Sequence, residues 1–254
     1  MNNISLLLLT KNEQNNLKGW GSWIHKLNTI NEIVIIDDES TDKTLKILKS
    51  LKTDKLSINI HKRKLNNNFS DQRNFGISKS INDWILSLDA DEVPTQKTIN
   101  YLNNLSPEIG QNYAFKRNIV YLNHTISYGQ CLNDFPIKLF NKTEGKFIHP
   151  VHEKWESTAN TNDLNQVILH YSIKDLTTFL QKINTYSSIR AQELYDQKHH
   201  PHLWEIILYP KFKFIELYFY RLGFLDGTPG IILSLAMSFN SFLIRSKLWH
   251  LSQK

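Results

Sequence analysis

Asp89 and Asp91 close a short apolar run, Trp84-Ile85-Leu86-Ser87-Leu88, inside the tetrad Asp89-Ala90-Asp91-Glu92. Side chains of an extended chain alternate with a period of two, so the two aspartates are expected on one side. Paired hard oxygen ligands at the carboxyl end of a parallel strand suit a divalent cation such as Mg2+ or Mn2+. Such an ion neutralises a diphosphate, and open α/β sheets bind ligands at strand ends of this kind. Taken alone, the pattern equally fits a solvated loop. Two further polar clusters set it apart. Thr10-Lys11-Asn12-Glu13 and Asp37-Asp38-Glu39-Ser40-Thr41-Asp42 each follow an apolar run of their own.

The elements that must carry these clusters read as alternating strands and helices. Ile4 to Leu9, Glu32 to Ile36, Leu56 to His61 and Trp84 to Leu88 are expected strands. Helical apolar spacing covers Glu13 to Leu27 and Thr41 to Leu51, the latter with Ser40 or Thr41 as N-cap and Asp42 in its first turn. Ser70 is the expected cap of a third helix, Asp71 to Ser80. This order predicts an α/β fold, a mostly parallel sheet covered on both faces, with three polar strand ends converging on one edge. No glycine precedes Gly19. Neither a G-x-G-x-x-G fingerprint nor a P-loop can therefore follow the first strand, and a nucleotide would need side-chain ligands and a metal.

Leu9-Thr10-Lys11-Asn12-Glu13, Ile35 to Asp42, Gln72-Arg73-Asn74 and Asp89-Ala90-Asp91-Glu92 together resemble the ordered signatures of the inverting family 2 glycosyltransferases with the GT-A fold. Val151-His152-Glu153, His170-Tyr171-Ser172 and Gly223-Phe224-Leu225-Asp226-Gly227 resemble one branch, the bacterial lipopolysaccharide (lipooligosaccharide) inner-core β-1,4-glucosyltransferases that act on heptose. The resemblance implies a GT-A type, Rossmann-like catalytic domain over 1–175, with a nucleotide-sugar-binding half (1–110) and an acceptor half (111–175). A helical, membrane-associating extension follows over 176–254. Thr10, Asn12, Glu13 and Asp38 would line the uridine pocket, with Asp37 supporting it. Arg73 would face the nucleotide or sugar, Asp89 the ribose or donor sugar, and Asp91 the metal, Mg2+ or Mn2+. His170 would be an extra metal ligand or a diphosphate contact, or else a structural histidine. Glu153 is the first candidate for the base that deprotonates the acceptor hydroxyl, and Asp134 is its rival. Where the family often has glycine after the second aspartate, this chain has Glu39.

The implied activity is transfer of a hexose, glucose from UDP-glucose, to an inner-core heptose. The alternatives are another nucleotide-sugar transferase with a different lipid-linked or protein acceptor, and a non-catalytic, membrane-associated nucleotide-binding protein. A nucleotidyltransferase would show a glycine- and lysine-rich phosphate loop near the N-terminus, which this chain lacks.

Composition agrees with one elaborated domain or a domain plus an appendage. The 254 residues are 41% hydrophobic, and Cys131 is the single cysteine, so neither an intrachain disulfide nor a cysteine-based zinc site is available. Ile4 to Leu9 lacks the basic flank and cleavage site of a signal peptide and is better explained as a strand. Of the net charge of +6, +4 falls in residues 171–254, where ten basic residues face six acidic ones. There Lys211, Lys213, Arg221, Arg245 and Lys247 punctuate an aromatic-rich stretch from Trp204 to Trp249. The uncharged run Gly227 to Ile244 reads as too short and polar to span a bilayer, and the pattern instead suits helices lying on an anionic membrane surface. Gly223 to Gly230 is the expected break between two of them. The predicted location is cytoplasmic, peripheral on the inner face of the cytoplasmic membrane. The basic residues accompany no nucleic-acid motif, so no nucleic-acid partner is expected.

Overall fold

Alternation and β-branched content make strands of the apolar runs, as the computed structural model shows; it describes residues 3–150 and 153–253. In chain order come β1 (Ile4–Thr10), α1 (Gln14–Leu17), α2 (Gly21–Ile24), β2 (Ile30–Asp37), α3 (Thr44–Lys49), β3 (Ser57–Lys62), α4 (Phe69–Lys79) and β4 (Trp84–Asp89). Next are β5 (Glu92–Pro94), α5 (Gln96–Asn104), β6 (Gln111–Tyr121), β7 (His124–Ile126), β8 (Ile137–Asn141), β9 (Gly145–Ile148), β10 (Lys154–Ser157) and β11 (Asn160–Ile173). The chain ends in α6 (Leu176–Asp196), α7 (Leu203–Ile215) and α8 (Gly227–Ser252).

The chain divides into two units, residues 1–117 with 135–170, and 118–134 with 171–254. The sheet order is β3-β2-β1-β4-β8-β6-β11-β5. Its first half is parallel, with β1 between β2 and β4 and β3 beyond β2. β8 then turns antiparallel against β4 and β6. Both faces of the parallel part are buried, as expected of such a sheet. Leu6, Leu8, Ile33, Ile35, Leu86 and Leu88 share one core with Trp20 and Trp23. Leu7, Val34, Ile36 and Ile85 share the other with Ile77, Phe140 and Trp155. The architecture is the GT-A-like mixed sheet with flanking helices that the motifs implied.

Helix boundaries differ from the sequence reading for identifiable reasons. The expected helix Glu13 to Leu27 is two single turns, because Gly19 and Gly21 flank Trp20 and each costs a helix about 1 kcal/mol. Trp20 is wholly buried there and donates from Nε1 to the Ala90 carbonyl at 3.1 Å. The expected helix Thr41 to Leu51 begins at Thr44, with Lys43 at the cap and no side-chain bond. Asp42 instead accepts from the Thr44 and Gln14 amides, which ties the two strand-end loops together. Asn68, not Ser70, caps α4 by accepting from the Asp71 amide at 3.0 Å, and Ser70 donates to the His149 carbonyl.

In the second unit, β7 pairs with the distal end of β6, and Tyr121, Ile126 and Cys131 pack with Ile173 and Leu233. Asp226 accepts from the Ser127 and Tyr128 amides at 3.1 and 3.0 Å. A π turn (Glu216–Tyr220) and a 3-10 turn (Gly223–Asp226) separate α7 from α8, close to the expected break, although Gly230 lies inside α8. Against the expectation drawn from the uncharged run, Gly223–Ser252 is long and apolar enough to cross a membrane by length and composition. The helix continues through Arg245 and Lys247, and 26 residues of α8 span about 39 Å at 1.5 Å each. Lys247 is committed to structure: the three N–H groups of its ammonium are shared among Asn184 O and Oδ1, Ser187 Oγ and Ser188 Oγ, all at 2.6–2.8 Å, tying α8 to α6.

Candidate active site

Ile85, Ser87 and Asp89 alternate on the face of β4 that α4 covers, and Arg73 reaches down from α4 to meet them. The guanidinium donates to Ser87 Oγ at 2.8 Å, to Asp89 Oδ1 at 2.8 Å and to Glu153 Oε1 at 2.9 Å. Phe147 lies 5.4 Å beneath it, adding a cation–π contact. Helix α4 can come this close because Gly76, one turn beyond Arg73, has no Cβ. One built there would clash with Leu7 Cδ1 and stand 3.0 Å from Ile36 Cγ1.

A second cation braces the same aspartate. Lys138 on β8 is buried, 2.5 Å from Glu92 Oε2 and 3.5 Å from Asp89 Oδ2. Glu92 is itself fully buried, accepts from the Asp89 amide at 3.1 Å and lies 3.6 Å from Arg117. Burial opposes ionisation of Asp89, but Lys138 and Arg73 outweigh it and hold this carboxyl well below the usual carboxylate range. Burial likewise opposes the charge on Arg73, and Asp89 with Glu153 raises its pKa above the ordinary arginine value. Asp89 is thus a fixed anion, and both its side chain and its backbone are held. None of Ser87, Glu92, Arg117 and Lys138 was among the expected site residues. Lys138 had one signal in the sequence, a lysine inside the apolar run Ile137-Lys138-Leu139-Phe140.

Asp91 does not continue the extended stretch that ends at Asp89. The chain turns at Ala90–Asp91, so the period of two ends there. Asp91 Oδ2 instead lies 3.2 Å from His170 Nε2. His170 sits within β11, in register with Glu92 of β5. Adjacent corners of an octahedral site with bonds of about 2.0–2.1 Å lie about 2.8–3.0 Å apart. The oxygen and nitrogen of this pair, slightly wider at 3.2 Å, could take two neighbouring positions around one divalent ion with a small adjustment. Among the described residues no group of three or more His, Cys, Asp or Glu side chains converges for a metal. The other positions would fall to water and a ligand phosphate, the habit of Mg2+ sites.

The remaining expected residues line the ends of β1 and β2. Asp38 accepts from Lys11 Nζ at 2.7 Å and from the Leu65 amide at 3.0 Å, and chiefly the Lys11 bond lowers its pKa. Asn12 adopts a left-handed φ of 55° and accepts from the Thr41 amide at 2.8 Å. The Glu13 amide donates to Thr44 Oγ1, and its carboxylate accepts from Asn16. Thr10 and Asp37 face each other in register, and Thr10 Oγ1 and Asp37 Oδ1 are buried with no hydrogen-bond partner among the described residues. Polar atoms left bare at a sheet edge are the ones a ligand would satisfy. Glu39, which stands where the resembled family often has glycine, takes φ = 55°. Asp134 belongs to the second unit, where its amide donates to the Cys131 carbonyl at 3.4 Å. Of the motif Val151-His152-Glu153, only Glu153 lies within the described residues.

The chain matches the glycosyl transferase family 2 profile over residues 5–151. An uncharacterised glycosyltransferase of Rickettsia typhi is 27% identical over 100% of this chain and 89% of its own length. The lipopolysaccharide core biosynthesis glycosyltransferase LpsC of Rhizobium meliloti is 23% identical, with 97% of this chain and 92% of LpsC covered. Among solved structures, S. aureus TarS 1–349 in complex with UDP-GlcNAc shares the fold, with a TM-score of 0.51 and 14% identity over 99% of this chain and 92% of that one. The profile match over more than half the chain and the full-length similarity to a glycosyltransferase agree with the GT-A-like sheet: this is a glycosyltransferase, and it belongs to glycosyl transferase family 2.

Proposed function

We propose that the chain is an inverting hexosyltransferase that moves glucose from UDP-glucose to a heptose of the lipopolysaccharide inner core. The observation that carries this reading is Arg73, whose fork joins the donor-side carboxylate Asp89 to the acceptor-side carboxylate Glu153. Inversion in one step needs a base on the acceptor side. Glu153 takes the proton of the acceptor hydroxyl as that oxygen attacks the anomeric carbon. The bond from this carbon to the diphosphate breaks, and UDP leaves with its electron pair. Asp134 is the rival for the proton. Thr10, Asn12, Glu13 and Asp38 line the uridine pocket over Asp37, and Asp89 holds the ribose or donor sugar. Asp91 and His170 would hold Mn2+ or Mg2+, which when bound neutralises charge on the departing diphosphate.

The acceptor assignment is supported by similarity along almost the whole chain to a protein named for lipopolysaccharide core biosynthesis. The exposed aromatic and basic residues of the second unit support a peripheral place on the anionic inner face of the cytoplasmic membrane, where a lipid-linked saccharide would be met. The test is nucleotide release from a panel of UDP-, GDP- and CMP-sugars, with a heptose-bearing core acceptor and Mn2+, Mg2+ or EDTA. Metal-dependent UDP release from UDP-glucose alone is expected. Release from another sugar would replace glucose, and absence of UDP binding with or without metal would overturn the reading.

A further inference from the structure

Helices α7 and α8 leave an open apolar groove of about 350 Å³ between them, within the size range of small-ligand sites. Ile207, Pro210, Leu235, Phe239 and Phe242 line it. Its one side-chain hydroxyl, Ser238 Oγ, donates to the Pro210 carbonyl at 2.7 Å, and the exposed lining is mostly apolar. Leu235, Phe239 and Phe242 recur at i, i+4 and i+7 on α8, each at least 40% exposed. On α7, Leu203 and Ile207 form the matching stripe, and Lys211 stands one turn further along it.

The cations nearby are not equivalent. Lys213 and Arg221 both pair with Glu216, and Arg245 stacks 3.7 Å over the Tyr209 ring. Lys211 is exposed and makes no hydrogen bond or ion pair among the described residues. An apolar slot with one uncommitted ammonium on the same stripe is complementary to an amphiphile with a single anionic phosphate. We propose that this groove holds one acyl chain of an anionic membrane phospholipid, with Lys211 at its phosphate. The proposal rests on the membrane reading above and deepens it: the second unit takes a chain out of the leaflet as well as lying on it.

Monomeric lysophosphatidylglycerol, titrated below its micelle concentration into the full chain by calorimetry, tests this. Saturable one-to-one binding is expected, strengthening by at most about fourfold for each methylene added until the groove is full. Leu235→Trp, which fills the groove from a half-exposed position, should weaken binding at least tenfold while the thermal melt is unchanged. Lys211→Glu should weaken lysophosphatidylglycerol severalfold and leave neutral lysophosphatidylcholine nearly unaffected. Non-saturable binding, or binding indifferent to Leu235→Trp, would overturn the groove. Co-sedimentation of the same protein with phosphatidylglycerol vesicles separates the two readings. Sedimentation without monomer binding keeps the membrane face and rejects the groove; failure of both rejects both.

Discussion

At the scale of single residues, Arg73 makes a clean separation of roles testable. A glutamine at 153 still offers Arg73 Nε a carbonyl oxygen in place of Oε1, so the cluster keeps its shape while the proton acceptor is lost. Glu153→Gln is expected to bind UDP as the parent does and to lower kcat by about 10²–10⁴-fold, the usual worth of a positioned base. Undiminished transfer in that variant would move the role to Asp134. Glu39 offers a second test, in stability. At φ = 55° a non-glycine residue carries strain of about 1 kcal/mol. Its ion pair with Lys64, 3.7 Å between two exposed side chains, returns little of that. Glu39→Gly should therefore raise the melting temperature by about 2–4 °C for about 1 kcal/mol. A lowered melting temperature would show that the glutamate is held there by something other than tolerance.

At the scale of elements, α4 couples packing to chemistry through Gly76. Gly76→Ala would drive a methyl against Leu7 and Ile36, an overpacking worth about 1–3 kcal/mol. The helix relieves it by lifting from the sheet, and Arg73, three residues earlier on the same face, lifts with it. The expected outcome is a lower denaturant midpoint together with a weaker UDP affinity. Loss of stability with unchanged UDP affinity would uncouple the helix from the site. The strands and polar strand ends were legible in the sequence because alternation and β-branched runs are local signals. Arg73 was legible through Gln72-Arg73-Asn74, and the Asp89 cluster through its position after a buried strand. What stayed hidden depended on contacts distant in the chain. The turn at Ala90 is held from below by Trp20, seventy residues earlier, and after it Asp91 meets His170. Lys138, a lysine within the apolar run of β8, has its partners Glu92 and Asp89 far off in the chain. Lys247 read as a membrane cation, yet four acceptors on α6 occupy it.

At the scale of the whole molecule, the second unit is discontinuous, and this decides which fragments can stand alone. Residues 118–134 leave the first unit's stretch of β6 and complete their core only with residues from beyond 170. Tyr121, Ile126 and Cys131 pack against Leu233 as well as Ile173, and the Ser127 and Tyr128 amides are satisfied by Asp226. A chain ending at residue 175 would keep Ile173 and lose Leu233 and Asp226. Two backbone donors would lose their acceptor, at about 1–3 kcal/mol for each that stays buried, and three core side chains would gain solvent contact. Stability of a domain is only about 5–15 kcal/mol in all, so these losses consume a large share of it. The fragment 1–175 is therefore expected to bind a hydrophobic dye, melt without cooperativity and fail to bind UDP, whereas the full chain does the reverse. Cooperative melting and parent-like UDP affinity in the fragment would show that segment 118–134 folds on the first unit's account, and that the helices α6 to α8 serve the membrane and the acceptor alone.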